Sequence, residues 1–224
     1  MGILSRLTRV KDGTVNGGLS NSFRSKRFHY FEQLVGQLPA PVSILDVGGT
    51  THFWEQRGWA GKEGIDITLV NLAAGESPHA NIRSVAGDAT NLEGFENDSF
   101  DVVFSNSVIE HLFTWESQLA MARECQRVGR ALWVQTPNYW FPIEPHFHWL
   151  GWHWYPRSVR VGMIKRVRCG HRGPCPDPAE AAAMVDEVRL MTRKEMVEAF
   201  PGSTIWPEKI GGMTKSWVAI DGFE

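Results

Sequence analysis

Ile44-Leu45-Asp46-Val47-Gly48-Gly49-Thr50-Thr51-His52 is the stretch on which the reading of the whole chain turns. Ile44, Leu45 and Val47 suit a buried parallel strand, which reads as an apolar run rather than an alternation. Gly48 and Gly49 end that strand and let the backbone turn tightly, with no Cβ to block a ligand. Phe53, Trp54, Glu55 and Gln56 then read as the first turns of a helix. A strand, a glycine turn and a helix open a nucleotide-binding βαβ unit, whose ligand sits over the turn near the helix N-terminus. Glycine turns after strands are common, so the assignment depends on partners elsewhere in the chain.

Upstream, Ser22 can cap a helix over residues 23–38. Phe28, Phe31, Leu34, Val35 and Leu38 give it one apolar face, and Pro39 and Pro41 end it. Residues 1–22 read as a flexible tail, glycine- and asparagine-rich from residue 12 onward. Met1-Gly2 lacks the Ser or Thr that myristoylation wants, having Arg6 there. Ile3, Leu4, Leu7 and Val10 with Arg6, Arg9 and Lys11 could form a short basic turn giving weak peripheral membrane contact.

Downstream, strands are expected at 65–72, 82–86, 100–105 and 131–136, with a helix over 106–128 stopped by Gly129. This alternation argues a parallel sheet with helices on both faces, whose ligands collect at the strands' carboxyl ends. Gly48, Asn71, Asp88, Asn106 and Thr136 lie at those ends. Residues 137–190 break the pattern and are too long for an ordinary connection, so they read as a functional insertion. Thr192-Arg193-Lys194-Glu195 has capping-box spacing and opens a helix to Phe200. Two last strands, 203–207 and 216–220, are joined through Gly211-Gly212-Met213-Thr214-Lys215. Residues 23–224 are therefore expected to form one α/β domain.

The 224 residues carry a formal charge of −2, so no global field demands nucleic acid or a membrane. No run reaches the length of a membrane span, and the N-terminus lacks the apolar core of a signal peptide. Cys125, Cys169 and Cys175 are an odd set without a disulfide framework, which favours a reducing compartment.

The motifs ILDVGG (44–49), GDATNL (87–92), FDVVFSNSVIEHL (100–112) and LMTRKEMVEAFPG with GGMTKSWVAI, taken in this order, resemble the class I S-adenosylmethionine-dependent methyltransferases, in their small-molecule, type 11-like branch. The resemblance covers about residues 28–220. It implies a Rossmann-like seven-stranded sheet, mostly parallel with a final antiparallel strand, and S-adenosyl-L-methionine as cofactor. It implies that Asp46, Gly48, Gly49 and Thr50 hold the methionine end. Asn71 with Leu72 would face the ribose, Asp88 with Ala89 the adenine, and Asn106 the transferred methyl. The family usually has glycines at Thr50 and His52 and an acid at Asn71.

Methyl transfer asks the protein for alignment, desolvation and, for an alcohol, a base. His111 follows the fourth strand and is one candidate, with padding of the helix start by Glu110 and His111 as the alternative. His146 and His148 stand two apart, so an extended segment would point them the same way, as bases or metal ligands. Cys169, His171 and Cys175 have the wrong spacing for a structural zinc site, and no metal is assigned. Tyr139, Trp140, Phe141, Phe147, Trp149, Trp152, Trp154 and Tyr155 read as a satellite core, or as a wall for an apolar acceptor. Arg157, Arg160, Lys165, Arg166, Arg168 and Arg172 follow, with no acid between Glu144 and Asp177. They are a solvated face or a site for an anionic acceptor.

The expectation is a cytoplasmic methyltransferase acting at oxygen on a small molecule or glycan precursor, possessing no transmembrane segment. The rivals are an RNA methyltransferase, disfavoured because no RNA-binding module is visible, and an inactive binding protein. A nicotinamide dehydrogenase would want G-x-G-x-x-G, and Gly48-Gly49-Thr50-Thr51-His52-Phe53 is not that.

Overall fold

The structure, a computed structural model, describes residues 18–170 and 172–223. The basic turn and myristoylation positions near the N-terminus, and His171, lie outside the described residues. The chain divides into two compact units, residues 1–36 and 37–224. In the first, helix α1 spans Gly18–Val35. It starts ahead of Ser22, which is inside the helix and not its cap. It also ends before Leu38.

The second unit holds a seven-stranded sheet in the order β3-β2-β1-β4-β5-β7-β6. The strands are β1 (Val42–Val47), β2 (Ile65–Asn71), β3 (Ile82–Ala86), β4 (Phe100–Asn106), β5 (Gly129–Pro137), β6 (Thr204–Ile210) and β7 (Met213–Asp221). The first five are parallel, and β7 runs against both β5 and β6. This is the Rossmann-like sheet that the sequence predicts. The strand order reverses between β1 and β4, so the ligand crevice of such a sheet opens at their carboxyl ends. The final hairpin is longer than predicted, because the turn is only Gly211-Gly212, both at positive φ (55° and 84°). Two such residues make the tight turn that matches strand twist, leaving Met213 and Thr214 free to pair with Ile210 and Lys209, with a bulge at Lys215.

β1 sends its side chains to both faces. Leu45 and Val47 join the main core with Val103, Leu132, Val134 and, from helix α3 (Trp115–Val128), Met121, Ala122 and Cys125. On the other face stands Asp46, only 1% exposed. Its carboxylate accepts a 2.7 Å bond from the indole N–H of Trp54. Trp54 belongs to helix α2 (Thr51–Gln56) and packs on Phe104 of β4 with centroids 5.2 Å apart. The sequence-predicted start of this helix moves forward because Thr50 caps it, accepting from the Phe53 amide. The expected helix over 106–128 is also two pieces. A single 3-10 turn, Ile109–His111, is followed by Phe113 at φ 51° and then by α3, capped by the Thr114 hydroxyl on the Ser117 amide. A chain already capped at Thr114 gains about 1 kcal/mol by starting afresh there, and the break turns Glu110 and His111 out of helical register.

Residues 137–190 carry helices α4 (Arg157–Arg166) and α5 (Pro178–Asp186) and a core of their own, from Phe147, Trp152, Ile164, Cys169, Cys175, Ala181 and Val185. Phe147 and Trp152 stack at 4.2 Å. The satellite-core reading of the aromatics therefore holds for these two, while Trp140, Trp149, Trp154 and Tyr155 are exposed. Helix α6 (Arg193–Ala199) closes the insertion and bears the expected capping box between Thr192 and Glu195.

Burial raises Asp46 from its ordinary 3.8 to about 7, partly opposed by the Trp54 bond. A carboxyl whose folded pKa is raised favours the folded state below its unfolded pKa and loses that contribution as pH rises through the folded value. Relative to Asp46→Asn, the wild type should therefore lose stability between about pH 4 and pH 7, by up to a few kcal/mol. Urea unfolding of both proteins across that range checks it; parallel pH curves would refute it.

Candidate active site

The turn after β1 is built by close approach. Gly48 has φ +80°, and a Cβ on it would fall 2.6 Å from the side chain of Val108. A Cβ on Gly49 would fall 1.6 Å from the Asp46 carboxylate. The two glycines are thus pressed between a buried acid and Val108, two residues after β4, and no side chain fits at either place. Asn71, at the end of β2, donates its amide to the Gly49 carbonyl at 2.9 Å and so ties the turn to the next strand. Leu72 is exposed. Asp88 is exposed and accepts from both the amide and the hydroxyl of Thr90, which shapes the loop after β3. Ala89 packs against the main core, and Asn106 is half-buried at the end of β4. The residues predicted for the cofactor therefore line the carboxyl edge of β1, β2, β3 and β4, as their sequence positions imply.

Beyond that edge lies a second group. Glu110 is 0% exposed. Its Oε2 accepts from the Thr136 hydroxyl at 3.0 Å, and its Oε1 is buried without a hydrogen bond. Burial raises its pKa to about 7 against the nearby His146. His111 and His146 meet edge to face, centroids 4.8 Å apart. His111 Nδ1 lies 3.3 Å from the Glu187 carbonyl. Burial, seconded by His146, lowers its pKa to about 4, so it is neutral near pH 7 and a weaker base than a free histidine. His146 is different. Burial pulls its pKa down, but Glu144, 2.6 Å from Nδ1, and Glu110 outweigh that and raise it. Glu144, itself 1% exposed, also accepts the amides of His146 and Phe147.

His148 does not join this group. It has φ 51° and is exposed, because the chain turns at 144–148 instead of extending. The predicted same-side pairing of His146 and His148 is therefore wrong. The sequence reading also missed Glu144 and treated Glu110 as padding. The available signal was an acid, Glu110, set in the apolar run Val108-Ile109 and Leu112.

A cavity of about 390 Å³ adjoins Glu144, lined by Tyr139, Trp152, His153, Arg160, Leu190 and Thr192 among others. It contains no residue of the glycine turn. Trp152 Nε1 and Arg160 Nε are buried around it without hydrogen bonds. The cation run of the insertion is less bare than its sequence suggests. Arg157 forms a bidentate pair with Asp186, and Arg172 pairs with Glu187. The insertion is fastened at both ends. Asn138 bonds to the Thr214 carbonyl and the Trp217 indole, and Gln118 clasps the Ile109 and Arg189 carbonyls.

The family model described as a methyltransferase domain matches residues 45–131. The fold is similar to that of an S-adenosylmethionine-dependent methyltransferase from Methanosarcina mazei, at 14% identity and TM-score 0.50, covering 84% of this chain and 94% of that one. A counterpart from Aquifex aeolicus gives 12% identity and TM-score 0.51, covering 98% and 99%. A structure from Rhodobacter sphaeroides, described as a candidate zinc-dependent alcohol dehydrogenase, gives 11% and 0.52, covering 84% and 86%. At these identities the likeness concerns the fold. No curated protein sequence matches the chain.

The Asn71 bond reverses the sign that the family's acid would suggest. A carboxylate at 71 cannot donate to the Gly49 carbonyl and would repel it. Asn71→Asp should weaken binding of S-adenosylhomocysteine by about 0.5–1.5 kcal/mol, or roughly 2- to 10-fold. Isothermal titration calorimetry measures this, and tighter binding would mean that the carboxylate reaches a ribose instead.

Proposed function

We propose that the chain is a class I methyltransferase with S-adenosylmethionine as its cofactor, a reading supported by the methyltransferase-domain model that matches residues 45–131 and by the sheet order, and that it methylates a hydroxyl on a small anionic acceptor bound by residues 137–190. The side-chain-free turn at Gly48 and Gly49 suits the cofactor's methionine end, with Asp46 bracing it from below. Asn71 with Leu72, Asp88 with Ala89, and Asn106 suit the ribose, the adenine and the methionine moiety in turn. Bound there, S-adenosylmethionine supplies a methyl group activated by its positive sulfur.

The chain's own residues must then hold a hydroxyl in line, exclude water and draw off its proton. One observation carries the acceptor assignment: the cavity beside Glu144 is ringed by buried polar groups that lack partners. Trp152 Nε1 and Arg160 Nε can only donate, and a guanidinium keeps its charge. Leaving such donors dry is costly, so a ligand bearing a carboxylate or phosphate satisfies them. A sugar phosphate or other glycan precursor has that group together with hydroxyls. The Glu110, His111 and His146 cluster, one residue pair away through Glu144, is where the hydroxyl is activated. His148 takes no part.

The RNA reading fits less well, because Arg157 and Arg172 are already paired and the cations do not form one bare stripe. No described helix is long and apolar enough to cross a membrane. The three cysteines are free and buried, which suits the reducing cytoplasm.

Incubation with methyl-labelled cofactor and separate small-molecule and RNA fractions of a cell extract should place the label in an anionic small molecule, as a methyl ether by mass spectrometry. Label confined to RNA would favour the rival enzyme, and cofactor binding without any transfer the inactive protein. With the acceptor in hand, Arg160→Ala should raise its KM about tenfold or more, the cost of a desolvated charge-assisted contact. Cofactor affinity should not change. Arg157→Ala, which removes an exposed pair, should stay within about twofold. Equal effects of both substitutions would return these arginines to a solvated face.

A further inference from the structure

We propose that Glu110, His111 and His146 form a binding site for one divalent transition-metal ion, with zinc as the best-matched species. The three offer one ligand atom each, all within 4.8 Å of one another. What the other polar atom of each side chain does decides which atoms those are. His111 Nδ1 faces the Glu187 carbonyl, which can only accept, so the proton sits on Nδ1. His146 Nδ1 faces the Glu144 carboxylate at 2.6 Å, so its proton sits there too. Nε2 of His111 therefore presents a lone pair, and Nε2 of His146 presents one once its second proton is displaced. Glu110 has its Oε2 taken by the Thr136 hydroxyl, which leaves Oε1 buried and without a hydrogen bond. Three ligand atoms, one of them on a carboxylate, can thus face one metal ion together. Such an ion would take the place of the proton that Glu110 and Glu144 favour on His146; an apolar or anionic neighbour would not.

The donor set selects the ion. Two imidazoles and one carboxylate suit zinc and its first-row neighbours, whereas magnesium and calcium want oxygen. Metal-bound histidines commonly hand their other N–H to a carboxylate or a backbone carbonyl, and both do so here. Three protein ligands leave a position open, the pattern of a catalytic rather than a structural site. Ligand atoms about 2.1 Å from a tetrahedral ion stand about 3.4 Å apart, so the group has to close by up to about 1.4 Å. His146 stands on the loop after β5, so the closing movement would carry that loop, with Glu144 still bonded to the imidazole. An acceptor oxygen in the open position would release its proton to solvent more readily. That role rests on the acceptor reading above, but the site itself does not.

The test uses the full chain stripped with a chelator, and zinc chloride alone as the probe, without cofactor or acceptor. Calorimetry should show one zinc per chain with micromolar or tighter affinity, indifferent to millimolar magnesium, and cobalt substitution should give visible d–d absorption. Glu110→Gln and His146→Gln should each weaken zinc at least 100-fold and abolish the cobalt spectrum, while His148→Ala leaves both unchanged. Retained S-adenosylhomocysteine binding shows that the variants are folded. No zinc bound by the wild type, or zinc that survives both substitutions, overturns the proposal: Glu110 and the imidazoles would then simply share a proton. Tight zinc at this cluster in a protein that transfers no methyl to small acceptors would instead overturn the acceptor reading alone.

Discussion

A carboxylate cut off from water lies under the glycine turn, and one indole N–H satisfies it. The Trp54–Asp46 bond is the constraint from which the geometry of the turn after β1 follows. A buried acid with no partner is costly, so α2 has to lie where its tryptophan reaches Asp46. That sets the entry of the helix at Thr50. It also presses Gly49 onto the acid so closely that no side chain fits there. Trp54 then contacts Phe104, so the same residue that shields Asp46 also seats β4 beside β1. The tight turn and the placing of the short helix both answer to one polar hole in an apolar layer.

The sheet was legible because its strands are apolar runs bounded by turn residues, and burial of both faces leaves little choice of partner. β3 runs from Ile82 to Ala86 as the pattern indicates. The helix after β4 was misread because apolar spacing continues through Leu112 into Leu119. The break is made by a cap at Thr114 and a left-handed Phe113, neither of which disturbs the periodicity. The placement of Gly48, Asn71, Asp88 and Asn106 at the strands' carboxyl ends was legible by position, though the Asn71 bond to Gly49 was not, since it depends on which way one amide faces. The acid and histidine cluster was only half legible. His111 and His146 stand 35 residues apart and come together through the fold of a loop, and Glu144 was hidden by its place between two prolines.

The insertion joins the sheet by polar clasps. Asn138 secures its start to the hairpin, while Gln118, itself fully buried, secures its end to the turn at Ile109. Arg189 adds a bond from its amide to the Glu110 carbonyl, so the end of the insertion and the acid of the cluster share a peptide contact. Hydrogen bonds of this kind fix geometry more than they add stability. They hold the cavity beside the cluster at one register.

Between the clasps the insertion buries Phe147, Trp152, Ile164 and Val185 among themselves, apart from the residues under the sheet. Changes in two separately packed sets of side chains tend to add rather than to interact. A lineage carrying this chain can therefore remodel the insertion, one residue at a time, without loosening the layer under the sheet. The second core is in effect an evolutionary buffer: it lets the insertion drift while the carboxyl edge of the sheet stays as it is.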